Sequence, residues 1–432
     1  MNGTRPGLLP KVLTQIPGVD YIDTFSPIVK VTTLRVVLSL AAVRNWFLKQ
    51  LDVNTAFLHG ELDKEVYMTL PPGLDVAKRG LVCRLKKSLY GLRQASRQWN
   101  LKLTSVLRGA GFAQSRLDLS LFTKHTAHGI SIILVYVDDL ILTGDSLAEI
   151  NSVKQLLDDR FSIKDLGDLK YFLGMEVARS GKDIVVYQKK YVTDFLSDYG
   201  LLECKPSSTT MDYACKLTKD SGDVLADSTP FRKLIRRLLY LTNTRPDICF
   251  AVDKLSQYLD HPRSGHFSAA MRILKYLKGC PTTGLFFSST SDQHVIGFSD
   301  SDWASCSDSW RSVSGYCFFH GFSLISWRSK KQLTVAKSST EAEYQALAHA
   351  TCEVPWLFNL FNELQLPLSM SINLYCDSQS ALHLAANPVF HERTKHIEVD
   401  CHITREKMQI GLTRLLPIAS QEQLADILTR NR

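Results

Sequence analysis

A mixed architecture, α+β over the first part and α/β at the C-terminal end, is what this sequence predicts. Three observations carry that reading. Residues 19 to 200 interleave strand-like apolar runs with helical periods, a helical block follows a polar break, and the last third returns to strands around a long helix. With 432 residues there is room for two or three domains, each burying its own core. The expected boundaries are 1–205, 206–292 and 293–432.

In the first part, "NWFLKQLDVNTAF", "ISIILVYV", "LILTG" and "DIVVYQ" read as strands, while "TLRVVLSLAAVR" and "RQWNLKLTSVLRGAG" read as helices. The stretch "CKPSSTTMDYACKLTKDSGDVLADSTP" is polar and lacks a sustained period, so it is a linker or a long excursion. Next, Leu234, Leu238 and Leu241, then Ala270, Ile273, Leu274 and Leu277, keep the spacing of one helix face. Arg232, Lys233, Arg236, Arg237, Arg272, Lys275 and Lys278 fall on other faces, where they either follow a phosphate backbone or are simply solvated. The last third sets strands at "HVIGFSD", "SGYCFFHG" and "SLISWRS" before the helix "STEAEYQALAHATCEVPWLFNLFNEL" and the strand "INLYCDS".

Composition narrows the class. Hydrophobic residues make up 45% and charged residues 22%, which excludes a largely disordered chain. The apolar runs fall short of the roughly 20 residues that span a bilayer, so no membrane association is expected. Met1 is followed by "NGTRPGLLPK", which lacks a secretory h-region, so a cytoplasmic or nuclear protein is expected rather than a secreted one. Ten singly scattered cysteines suggest reduced thiols, not a disulfide framework or structural zinc. The formal charge of +8 favours a polyanionic partner without proving one.

The acids carry the chemistry. In "ISIILVYVDDLILTG", Asp138 and Asp139 sit between two strand-length runs, which suits a tight hairpin with both carboxylates at its tip. Adjacent carboxylates repel and raise each other's pKa unless a divalent cation joins them, although Asp-Asp is also ordinary turn chemistry. Asp52, ending the strand-like "FLKQLD", supplies a third acid in similar surroundings. Three acids on two neighbouring strands suffice for a two-metal site with ions roughly 3.5 to 4 Å apart.

"QLDVNTAFLHGELDKEVYM", "SLYGLRQASRQWN" and "YVDDLILTG", in this order, resemble the reverse transcriptase of copia-type LTR retrotransposons, and the likeness continues through "LGDLKYFLGMEV" and "LLYLTNTRPDICFAV" almost to the C-terminus. The resemblance implies a right-hand polymerase, with fingers and palm in 1–205 and thumb and connection in 206–292. It also implies an RNase H-like domain in 293–432. Asp52, Asp138 and Asp139 would hold two Mg²⁺ ions, with Mn²⁺ as an alternative. Phe57 matches the aromatic that packs under the incoming sugar and selects dNTPs; ordinary core packing is the other reading of a strand aromatic. The implied partners are an RNA template, a DNA primer, dNTPs and an RNA:DNA hybrid. A complete element of this kind assembles virus-like particles.

In the last third, Asp300, Glu343, Asp377 and Asp426 match in order the Asp-Glu-Asp-Asp set of the ribonuclease H fold, which implies metal-dependent hydrolysis of the RNA strand of a hybrid. Each has an alternative. Thr340 with Glu343 reads as a capping box, Asp377 as the cap of "SQSALHLAA", "SDSDW" as a turn, and Asp426 as a solvated acid on a short helix. His396 and His402, within "RTKHIEVDCHITRE", read as structural rather than as metal ligands.

The chain departs from the family pattern at four places. Ser96 replaces a Pro, Arg236 a Gly, and Glu398 an Asp. In addition, "NGTRPGLLPKV" stands where the family has a basic strand like "WYKARLVAKGF", whose cations meet the incoming triphosphate. Codons for "NGTRPGLLPK" read from their third base can encode "WYKARLVAK". We hypothesise a single-base insertion near codon 13, which would leave the palm acids intact and the fingers damaged. Coding DNA that cannot yield the basic strand in the shifted frame ends that idea.

Overall fold

The computed structural model describes residues 15–70, 81–127, 129–212, 216–366, 368, 371–387 and 398–430. The question of the basic strand falls on residues 1–14, and His396 on 388–397, so both lie outside the described residues. Contacts divide the chain into two compact units, 1–34 with 44–170, and 35–43 with 171–432; helix α1 (Val31–Val43) contributes to both.

The first unit contains strands β1 (Phe47–Val53), β2 (Glu61–Thr69) and β3 (Val82–Lys87), helix α2 (Ala95–Gly109), strands β4 (Ala113–Gln114), β5 (Leu121–Thr126), β6 (Gly129–Tyr136) and β7 (Asp139–Gly144), helix α3 (Leu147–Phe161) and strand β8 (Ile163–Asp168). Six of the strands form one antiparallel sheet in the order β4-β5-β6-β7-β1-β8, and β2 pairs with β3 in a separate ribbon. The apolar run of β6 earns its central place because both of its faces are covered: six consecutive residues, Ile130 to Val135, are buried. Alternation selects which side chains meet the helices. Leu51, Val53, Ile133, Val135, Leu140 and Leu142 from the sheet join Trp99, Leu103 and Leu107 of α2 and Ile150, Val153, Leu157 and Phe161 of α3 in one core. Ser146 starts α3 by accepting a hydrogen bond from the Glu149 N–H, the expected N-cap device.

The second unit opens with β9 (Tyr171–Phe172), β10 (Met175–Ser180), β11 (Asp183–Tyr187), α4 (Lys189–Asp198), α5 (Thr229–Leu241), α6 (Cys249–Ser256), α7 (Ser264–Gly279) and β12 (Leu285–Phe287). The four strands form a small antiparallel sheet, and the helices share a core built on Phe195, Phe231, Leu234, Leu238, Ile273 and Leu277. The polar stretch before α5 is the excursion, not a free linker, because Met211 and Leu217 are buried in that same core.

The basic residues of α5 and α7 divide in two. Arg237 pairs with Asp198 at 2.6 Å and lies 3.9 Å over the Phe195 ring, while Arg272 donates to Thr209 and Arg232 to the Leu259 carbonyl. Lys233, Arg236 and Lys275 are exposed.

The unit ends with β13 (Val295–Asp302), β14 (Val313–His320), β15 (Ser323–Lys331), α8 (Ser339–Glu363), β16 (Ile372–Cys376), α9 (Gln379–Ala386), α10 (Glu398–Gln409) and β17 (Thr413–Pro417). The sheet order is β15-β14-β13-β16-β17; β14 is antiparallel to both of its neighbours, β15 and β13, and β16 and β17 run parallel to β13. Helix α8 packs along β13 and β14, completing an α/β layer arrangement. The expected short helix around Asp426 is instead two 3-10 turns, Ser420–Glu422 and Leu424–Leu428.

Candidate active sites

Geometry first brings together the acids of the six-stranded sheet. Asp52 on β1 is directly opposite Asp139 on β7, and Asp139 pairs with Tyr136 across the hairpin, so Asp138 occupies the turn. The neighbouring strand is locked to this turn, since the Val53 N–H donates to the Asp138 carbonyl at 2.9 Å. From the other side the Trp99 indole N–H donates to the Val137 carbonyl at 2.6 Å. Val137 has φ +56°, a left-handed conformation that costs a β-branched residue energy and persists only where surroundings impose it. Trp99 was not singled out by the sequence reasoning. Its signal was available, because a helix tryptophan on an apolar face needs a partner for its N–H.

The Asp139 carboxyl is pushed up from its ordinary value, first by desolvation and then by the charges of Asp138 and Asp52; a hydrogen bond from Gln50 opposes the shift. Mutual repulsion of this kind is what a divalent cation relieves, and three carboxylates match the hard oxygen donors that Mg²⁺ prefers. The residues therefore fit the ions that the resemblance implies. Phe57 lies in a 3-10 turn, Ala56–His59, just beyond β1, with its ring centroid 4.8 Å from that of Tyr90. It is partly buried against the core of this unit, so packing accounts for part of its role.

The second group of acids converges in the five-stranded sheet. Asp300 lies inside β13 and is 1% exposed, so "SDSDW" does not form the suggested turn at this residue. Glu343 is the fifth residue of α8 and is not half of a capping box. Ser338 caps the helix by accepting from the Glu341 N–H, and Glu341 in turn accepts from the Lys337 N–H. Asp377 does not cap α9 either: Ser378 does, while Asp377 accepts from the Ser420 hydroxyl at 2.7 Å. Asp426 is no solvated acid, being 2% exposed and paired with Arg430 at 2.6 Å. All four local alternatives fail, so turn and capping duties do not account for these carboxylates, three of which are instead partnered by Ser420, Thr429 and Arg430.

Their electrostatics are strained. Burial lifts Asp300 to about 6, with Asp426 and Asp377 adding to the rise and Thr429, a hydrogen-bond donor to its carboxylate, opposing it. Burial lifts Glu343 to about 9, with Asp300 and Asp377 adding. Among the described residues, Asp300 Oδ1 and Glu343 Oε2 are buried with no hydrogen-bond partner. Arg430, 3.9 Å from Asp300 Oδ1, offsets part of this charge, and carboxylate oxygens buried without hydrogen bonds again fit divalent cations. Ligand atoms of Glu343, Cys376 and Asp377 all lie within 4.8 Å of one another. Gly315, opposite Asp300 in register, also escaped the sequence reading: a Cβ there would stand 2.7 Å from Thr429 Cγ2 and 2.8 Å from Leu428 Cβ, so its bareness seats the turn that carries Asp426.

Residues 5–213 match the family described as reverse transcriptase (RNA-dependent DNA polymerase). The putative transposon Ty5-1 protein of Saccharomyces cerevisiae is 32% identical over 308 residues, which cover 70% of this chain and 100% of that protein. This chain belongs to the retrotransposon reverse transcriptase family. The retrovirus-related Pol polyprotein from transposon RE2 of Arabidopsis thaliana is 42% identical over 431 residues, spanning 100% of this chain but only 30% of that relative. Among solved structures, a foamy viral protease-reverse transcriptase dRH in complex with double-stranded DNA superposes with a TM-score of 0.50 at 12% identity, covering 88% of this chain and 59% of that one. At that identity the likeness speaks for the fold alone.

Two departures from the reverse transcriptase pattern are structurally mild. Ser96 lies in the first turn of α2, where Pro is favoured but not required; the helix starts at Ala95 regardless, and the Ser96 carbonyl accepts from Ser26. Arg236 is exposed on α5 and displaces nothing from the core.

Proposed function

We propose that this chain is the RNA- and DNA-directed DNA polymerase and RNase H portion of a retrotransposon Pol polyprotein. The observation that carries the reading is the register that sets Asp52 opposite Asp139, with Asp138 in the adjoining turn. Asp52, Asp138 and Asp139 hold divalent cations at the polymerase site, and Asp300, Glu343, Asp377 and Asp426 hold them at the hydrolytic site. When bound, Mg²⁺, or Mn²⁺ as the alternative, supplies Lewis acidity toward a primer 3′-hydroxyl and a leaving pyrophosphate in one site and toward a water and a phosphodiester in the other. The chain's own contribution is placement. Trp99 and Val53 fix the Asp138 turn, Phe57 limits the space below the incoming sugar and so favours dNTPs, and exposed Lys233, Arg236 and Lys275 face the phosphates of a template–primer or RNA:DNA hybrid. Such a protein works in the cytoplasm or nucleus, within virus-like particles of a complete element.

A second reading rests on "NGTRPGLLPKV" replacing the basic strand. It makes this copy a catalytically lapsed nucleic-acid binder, or a polymerase with weak nucleotide incorporation whose hydrolytic acids are less affected. Primer extension on an RNA template with Mg²⁺ separates the readings. Extension by the wild type that disappears in Asp138→Asn supports the polymerase, and normal dNTP affinity refutes the impairment. Hybrid binding with neither extension nor cleavage sinks the enzymatic reading and supports the binder.

A further inference from the structure

The hydrolytic site contains one donor that carboxylate chemistry does not require. Cys376 is the last residue of β16, the residue before Asp377, and it is buried. Strand alternation turns Ile372, Leu374 and Cys376 to the buried face, and the Cys376 thiol lies within 4.8 Å of both the Glu343 and Asp377 carboxylates. Asp300 adds an independent observation. It is 1% exposed, Thr429 donates to its Oδ2, Arg430 stands 3.9 Å from its Oδ1 without a hydrogen bond, and its backbone neighbour Ser299 is in register with Cys376. Glu343 Oε2 is likewise buried without a hydrogen-bond partner. One soft sulfur and two carboxylates, those of Glu343 and Asp377, therefore lie within reach of a single cation.

Donor softness decides which cation such a set prefers. Oxygen-only sites suit Mg²⁺, whereas a thiolate favours Zn²⁺ and its heavier congener Cd²⁺. We propose that Cys376, with Glu343 and Asp377, makes the hydrolytic site a binding site for thiophilic divalent cations that compete there with Mg²⁺. The polymerase acids Asp52, Asp138 and Asp139 form an oxygen-donor group and do not share the preference. Binding releases the thiol proton to solvent and forms a metal–sulfur bond, with no change of oxidation state. The proposal rests on the ribonuclease H reading for its competition with Mg²⁺, while occupancy by a soft cation is a matter of these side chains alone.

Cd²⁺ titrated into the full chain, followed by sulfur-to-metal charge-transfer absorbance in the ultraviolet, tests it directly. The expected result is a saturable band that Mg²⁺ suppresses. The band is lost in Cys376→Ser and Cys376→Ala but kept in Cys352→Ser, whose thiol is exposed on α8. In Asp377→Asn the thiol remains and Cd²⁺ affinity falls by more than about tenfold, the scale on which even outer-shell partners act. Circular dichroism of each variant confirms folding, and Asp377→Asn keeps the test decisive should the Cys376 variants unfold. A wild type with no band, a band that survives Cys376→Ser, or an affinity indifferent to Asp377→Asn each overturns the proposal. Hybrid cleavage in Mg²⁺ is read separately: its absence would remove the ribonuclease H reading, while the cadmium band still decides this one.

Discussion

Asp139 shows how much of the candidate polymerase chemistry is local. Its carboxyl is raised by burial and by two like charges, and the backbone that presents it passes through a strained Val137. Val137→Gly should relieve that strain and stabilise the protein by about 1 kcal/mol, measured by urea unfolding, while loosening the acids enough to slow extension. Trp99→Phe keeps most of the apolar ring but leaves the Val137 carbonyl without its indole donor. The expected cost is about 1 to 3 kcal/mol in the same measurement. At this scale the acids themselves were legible, because carboxylates inside apolar runs are costly unless they are used. The supports were not legible, since Trp99 is 38 residues from Val137 and nothing local couples them.

Elements determine whether those acids stay together. The turn carrying Asp426 rests on the bare backbone of Gly315, so Gly315→Ala should displace it and lower hybrid cleavage at least tenfold while leaving primer extension intact. Equal loss of both activities would instead indicate general unfolding. On α6, burial raises Asp253 to about 6. Between the ordinary carboxylate value and about 6 the folded protein keeps a proton that the unfolded chain has released, so this group makes stability fall as pH rises through that window and stay level above it. Asp253→Asn should therefore be the more stable protein at pH 7, by about 3 kcal/mol, and match the wild type below roughly pH 4. Thermal melts across that range check the sign. Helix periods and strand alternation predicted most of these elements. The capping assignments did not survive, because Ser338 and Ser378 stand one or two positions earlier or later than the residues that local patterns suggested.

For the whole molecule, the +8 charge and the exposed cations of α5 and α7 bear on the proposed partners. Affinity for a template–primer duplex should fall at least about tenfold between 50 and 200 mM salt, as counterion release requires when several phosphates are neutralised. An affinity indifferent to salt would argue against phosphate contacts. The two compact units each carry one group of acids, so substitutions in one group should leave the other activity standing.

Sequence by itself determined the mixed architecture, the family, and the identity of Asp52, Asp138, Asp139, Asp300, Glu343, Asp377 and Asp426 as acids in need of an explanation. Periodicity and motif order are local or linear properties, and a chain displays them unfolded. Tertiary structure alone decided against the local alternatives for Asp300, Glu343, Asp377 and Asp426, by burying Asp300 and Asp426 and giving the helix caps to serines, and it alone brought Cys376 beside Glu343. Those outcomes depend on register between strands far apart in the chain, where a shift of one residue would turn every side chain to the opposite face.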